Sequence, residues 1–311
     1  MKLVKKVVSI LVVGVIFYFL LRNLINNWQH IPFESLHFNG LNLVISFGFL
    51  LLNFVIFVEG WRNIIRVLGG YVSFKRAFWI MSSSQLAKYV PGGIWFALGR
   101  VYLGRGEKLK EEIVAVSVIV ETGLTFVVGI LLFIISFMLT GAKGIINIIF
   151  LIPVFIVFLV MLYPPVLNRL MKIALKIFKR QSVELKLPYA QILALSIFFL
   201  GLWVLQIIGF YFLINAVYTI SFDRIFALGA AYTMSWMTGF VVIFAPGGLG
   251  VREGMMSLLL ASVLPAPLAI AISFIARVWM TLFEIAIFFI GLIVRRISNK
   301  LQAIPETNNL D

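Results

Sequence analysis

Seven ionisable residues sit inside or beside apolar stretches of this chain, and their types suit the recognition of a charged headgroup or anion. Lys88, with Ser84 expected four residues before it on the same helical face, and Arg100 flank Pro91-Gly92-Gly93, and Glu121 follows within Val118-Ile119-Val120-Glu121-Thr122-Gly123. Arg252 and Glu253 follow Pro246-Gly247-Gly248, while Arg277 and Glu284, seven positions apart, belong to one face of one helix. Pro lacks a backbone donor and Gly has little conformational bias, so each Pro-Gly-Gly interrupts a helix. A helix restarting after Gly93 or Gly248 would present unpaired N–H groups and the positive end of its dipole. Arg100 and Arg252 could then grip a phosphate in bidentate fashion. Glu121 or Glu253 could balance an amine or carry a coupling proton. The plainer reading is that these charges pair with one another and fix helix register, and that each Gly-rich stretch is a tight turn. Either way, a charge at the bilayer centre costs about 2.5–3.5 kcal/mol on insertion scales, so each one calls for a partner or a cavity.

The elements that must position these groups are membrane helices. The chain has 311 residues, 62% of them hydrophobic and 12% charged, with mean hydropathy +1.09. That composition excludes an ordinary soluble domain. Apolar runs at about 7–25, 41–58, 113–139, 145–163, 190–215 and 267–294 are each near the ~20 residues needed to cross a bilayer. Two further apolar regions, 77–104 and 225–264, contain the breaks; the halves of the second are about 20 and 17 residues long. The expected fold is an all-α polytopic membrane protein with about six full spans plus two broken or re-entrant hairpins, eight nominal transmembrane helices by hydropathy. One integral membrane domain, 1–300, is followed by a short tail, 301–311.

Charge orients these elements. Lys2, Lys5 and Lys6 place the N-terminus in the cytoplasm, and Arg295, Arg296 and Lys300 place the C-terminus there. Arg62, Arg66, Lys75 and Arg76 precede the first broken region, and Arg100, Arg105, Lys108 and Lys110 are placed on its far side, so both its ends are expected inside. The second is expected to start and end outside. Ser73-Phe74-Lys75-Arg76-Ala77-Phe78 and Ser221-Phe222-Asp223-Arg224-Ile225-Phe226 precede the two breaks, and Glu121 and Arg277 lie 30 and 31 positions after Pro91 and Pro246. These matches predict an inverted-topology repeat with halves about 41–163 and 190–298, an architecture that exposes a midplane site to either side in turn.

Other chemistries find little support. The chain has no Cys, which excludes disulfides and thiolate metal sites. No His or carboxylate cluster has metal spacing, and no hydrolase triad or phosphate-binding loop is present, so neither a metal nor a cofactor is expected. His30 and His37 fall in a loop expected outside and read as solvated. Glu59 and Arg62, spaced i,i+3, read as an interfacial ion pair. The net charge of +14 lies beside the spans and favours anionic headgroups over nucleic acid. Segment 165–180 is amphipathic and basic, suited to the inner leaflet.

Tyr89-Val90-Pro91-Gly92-Gly93 with Gly99-Arg100, then Glu121, then Pro246-Gly247-Gly248-Leu249-Gly250-Val251-Arg252-Glu253-Gly254 resemble the transmembrane domain of lysylphosphatidylglycerol synthetases. The resemblance spans roughly 5–298 and includes stand-alone flippase-like relatives. It implies movement of phospholipid, or another anionic or zwitterionic lipid, between the leaflets of the cell membrane. In the fused enzymes aminoacyl transfer belongs to a separate soluble domain, for which the residues up to Asp311 leave no room, so no enzymatic activity is expected here. Membrane lipids are the expected partners, with a separate lipid-modifying enzyme as a further one. Three alternatives stand beside this reading: a membrane component that supplies lipid to such a transferase, a non-transporting scaffold, and a small-solute transporter.

Overall fold

The computed structural model describes residues 36–90, 94–140, 189–242 and 245–302, with isolated positions elsewhere. Pro91, Gly92, Gly93 and His30 lie outside the described residues, as do all but isolated positions of the expected spans at 7–25 and 145–163 and of segment 165–180. The described residues are helical apart from short connections and one isolated β-bridge.

Among the described residues four helices are long and apolar enough to cross a membrane: α1 (Gly40–Val67), α4 (Glu111–Leu139), α5 (Tyr189–Asn215) and α8 (Ala266–Gln302). Their lengths of 28, 29, 27 and 37 residues exceed the ~20 residues, at ~1.5 Å rise each, that span the hydrocarbon. They coincide with four of the expected spans. Four shorter helices form the two interrupted units: α2 (Phe74–Gln85) with α3 (Trp95–Gly106), and α6 (Ile225–Val241) with α7 (Val251–Leu260). The second unit's halves are 17 and 10 residues, shorter than the expected 20 and 17. Two departures from helical geometry account for the difference. The backbone leaves it at Val242 (ψ 84) and re-enters only after Gly247, Gly248 and Gly250, with φ of 59, 72 and 81. The far end stops at Leu260, five residues before Pro265 opens the way to α8.

The contacts fix which ends lie together. At one end His37 N donates to Val217 O (3.1 Å) and Asn39 N to Ala216 O (2.8 Å), joining the start of α1 to the end of α5. Phe222, leading into α6, meets Tyr211 of α5 edge to face at 5.4 Å, so α6 starts at this end. At the opposite end Arg76 Nε and Glu107, 3.1 Å apart, close the base of the α2–α3 hairpin. The hairpins therefore enter from opposite ends and meet at their tips, where a Cβ on Gly247 would stand 3.1 Å from the Tyr89 ring. α8 runs past both. Trp279 and Phe283 face Phe47 and Phe54 of α1 (both 6.3 Å), and farther along Arg295 lies over Trp79 of α2 at 4.7 Å.

Candidate functional site

The freed backbone at the second break is satisfied locally. Ala245 N donates to Val242 O (3.1 Å), Gly248 N to Ala245 O (2.8 Å), and Leu249 N to Pro246 O (3.2 Å). Arg277 of α8 donates through Nη1 to Gly247 O at 3.0 Å. Buried backbone at membrane depth needs such partners because lipid supplies none. Positive φ at Gly248 is also a matter of space: a Cβ there would sit 2.7 Å from Cα and O of Gly239 in α6. The stem of Arg252 lies on the same glycine, whose own Cβ would fall 2.0 Å from Arg252 Cγ. Gly239 and Gly248 together make room for the arginine at the start of α7.

Three ion pairs tie the charged residues together. Arg100 of α3 and Glu121 of α4 meet at 2.5 Å, with side chains 1% and 6% exposed. The Arg100 guanidinium also lies over the Trp61 ring at 5.5 Å, and Trp61 donates to Ser117 Oγ at 2.8 Å. Glu253 of α7 and Arg277 of α8 approach at 3.5 Å, and Glu253 accepts from Gly250 N at 2.6 Å, capping the start of α7. Lys88, at the tip of the first hairpin, pairs with Glu284 of α8. Tyr89 donates to the same carboxylate at 2.9 Å and lies 3.2 Å from Thr281 Oγ1. Arg277, Thr281 and Glu284 thus hold the second tip and then the first on successive turns of one helix.

A cavity of about 220 Å³ opens where the tips meet. Lys88, Arg100, Glu121, Arg252 and Glu284 line it, with Asn53, Gln85, Thr122, Thr125 and Gln206 as neutral polar groups. The rest of the wall is apolar and largely aromatic, including Phe57, Phe199, Trp203, Trp236, Phe240 and Phe283. Of the residues that the sequence points to, Lys88, Arg100, Glu121, Gly247, Gly248, Arg252 and Glu284 are brought to this cavity. Pro246 starts the turn beside it, and Arg277 and Glu253 stand behind it, lining a smaller void with Tyr232. Glu59 and Arg62 pair as expected, away from the cavity.

The structure changes three of the expected roles. Arg100 is spent on Glu121 and Trp61 rather than free to grip a ligand. Glu253 caps α7 through Oε2, so the start of α7 is not an open anion site, while its Oε1 lies 3.5 Å from Arg277 Nε and has no hydrogen-bond partner. Lys88 and Ser84 do not share a helical face, because α2 ends at Gln85 and Lys88 belongs to a 3₁₀ turn, Leu86–Tyr89. Tyr89, Thr281, Gln206 and Tyr232 are site residues that the sequence does not single out. Gln206, which donates to the Tyr232 hydroxyl at 2.7 Å, has a readable signal: it is an amide inside an apolar span. Tyr89 stands in the motif itself. His37, expected to be solvated, is exposed but also bonded through its ring to Asn215 O at 3.1 Å.

The fold and cavity define a multi-pass helical membrane protein with a charged chamber between two interrupted hairpins. The family model described as the lysylphosphatidylglycerol synthase TM region matches residues 6–287, and the chain belongs to that family. It is a membrane domain of a family linked to lipid modification. No curated protein matches the chain.

Proposed function

We propose that this protein moves phospholipid, or another anionic or zwitterionic lipid, between the leaflets of the cell membrane. The observation that carries this reading is the cavity: buried charge at the meeting point of two broken hairpins, inside walls of aromatic and aliphatic side chains. Polar groups at membrane depth favour a headgroup, and the apolar rim suits acyl chains. Entry of the hairpins from opposite ends fits alternating access around a fixed site.

An inverted repeat belongs to the same proposal. Ser73 and Ser221 precede their units with matching backbone, φ −69 and ψ 155 against φ −69 and ψ 149. After each break the half-helix pairs with the next long helix, Arg100 with Glu121 and Glu253 with Arg277, the signs exchanged. Six full spans and cytoplasmic termini complete the arrangement, with the end bearing Arg66, Arg76, Arg105 and Lys110 inside by the excess of basic residues. No group-transfer chemistry is assigned to the chain. The family's link to synthases favours one second reading, a membrane component that supplies lipid to a separate transferase.

The test is headgroup translocation in proteoliposomes, using labelled phosphatidylglycerol and phosphatidylethanolamine with and without a proton gradient. Faster movement than in protein-free vesicles is expected. Folded protein that moves no lipid under any condition would sink the proposal, and co-purification with a soluble transferase would then favour the second reading.

A further inference from the structure

Around the hairpin tips the described residues place four cations, Lys88, Arg100, Arg252 and Arg277, and three carboxylates, Glu121, Glu253 and Glu284. Each carboxylate is already paired with a cation. Glu121 is enclosed with Arg100, Glu253 is shared between Arg277 and the α7 cap, and Glu284 takes both Lys88 and the Tyr89 hydroxyl. Arg252 has no carboxylate partner among the described residues. The Tyr232 hydroxyl lies beside it, Lys88 and Arg277 are near enough to act on it as like charges, and it lines the cavity.

From this inventory we infer that Arg252 receives a phosphate group that carries no amine beside it, so that the site takes headgroups of net charge −1 and rejects zwitterions. The inference rests on the lipid-translocation reading and narrows its substrate. A guanidinium facing an apolar-walled cavity is compensated best by one anion. A phosphodiester supplies that charge and brings the chamber to neutrality. An ammonium on the same headgroup would find the two carboxylates that line the cavity, Glu121 and Glu284, already paired, and Glu253 buried behind the wall, and would face Lys88 and Arg252 as like charges. Like-charge juxtaposition in a desolvated site costs several kcal/mol, enough for discrimination of about tenfold or more. The cavity's aromatic wall favours a lipid over free phosphate as the source of the anion.

Two readouts test this. In proteoliposomes, phosphatidylglycerol should move at least about tenfold faster than phosphatidylethanolamine. Arg252→Gln, which keeps much of the stem that packs on Gly239, should bring the ratio close to one, and Arg252→Lys should preserve a preference. In detergent, phosphatidylglycerol should raise the unfolding temperature of the wild type but not of Arg252→Gln, while phosphatidylethanolamine raises neither. Inorganic phosphate forms a third arm: protection equal to that by phosphatidylglycerol would keep Arg252 as the anion receptor and assign the ligand to the soluble phase. Equal transport of the two lipids, or a preference that survives Arg252→Gln, overturns the inference and leaves translocation standing. Arg252-dependent protection without transport does the reverse: it upholds the anion site and removes the translocation reading.

Discussion

Arg100 and Glu121 are almost wholly enclosed, at 1% and 6% side-chain exposure, and one donor of the guanidinium, Nε, has no hydrogen-bond partner. Two charges withdrawn this far from water are held by each other rather than by solvent, and removing one strands its partner. Glu121→Gln should therefore destabilise the protein by about 3–5 kcal/mol, whereas replacing both, as in Arg100→Met with Glu121→Leu, should cost far less. Reversible unfolding in mixed detergent measures both. A single variant as stable as the wild type would remove the desolvation argument. The consequence for function is specific: transport lost in Glu121→Gln reports a broken scaffold unless stability is measured beside it. Arg252, half-buried and facing the cavity, is the residue at which altered selectivity can be read without that ambiguity.

At the scale of elements, the tight packing of the second tip rests on glycines. Gly248 has φ 72 and faces backbone of Gly239, whereas a Cβ added at Gly254, inside α7, would meet nothing within 4 Å. Gly248→Ala should unfold or open the α6–α7 unit and lower the thermal midpoint by several degrees. Gly254→Ala should be neutral or slightly stabilising, because a helix interior favours Ala by about 1 kcal/mol. Equal midpoints for the two variants would contradict the close approach. The first tip is held instead by Lys88 and Tyr89 on α8. A double-mutant cycle between Lys88 and Glu284 should return a coupling of about 0.5–3 kcal/mol, and a cycle that adds without coupling would detach the tip from α8. Which of these elements can be read in advance follows from their physics. Long apolar runs mark α1, α4, α5 and α8 because length and hydropathy are local properties. The two breaks are visible because Pro and Gly act on their own backbone. Pairing is not: Arg100 lies 21 positions before Glu121 and Lys88 lies 196 before Glu284, and only the meeting of the tips decides which cation each carboxylate takes. That is why Arg100 and Glu253 read as free ligands in sequence and are committed in the fold.

For the whole molecule, the decisive relation is that the two hairpins enter from opposite ends. The contacts at Asn39–Ala216 and Arg76–Glu107 set those ends, and α8 bridges them. Placed in a bilayer, this geometry requires Tyr71 and Lys110 on one face and Phe38 and Ser221 on the other. The chain contains no Cys, so single cysteines at these four exposed positions give a clean labelling background. In sealed right-side-out vesicles an impermeant maleimide should modify Phe38→Cys and Ser221→Cys, and should reach Tyr71→Cys and Lys110→Cys only after the membrane is opened. The pairing matters more than the sign. Labelling of both pairs in the reversed order would invert the orientation set by the basic residues and keep the hairpins opposed. Labelling of Tyr71→Cys together with Ser221→Cys from one side would place both hairpins on the same face. A chamber between hairpins inserted from one face could admit a headgroup from that face alone, and translocation by alternating access would lose its structural basis.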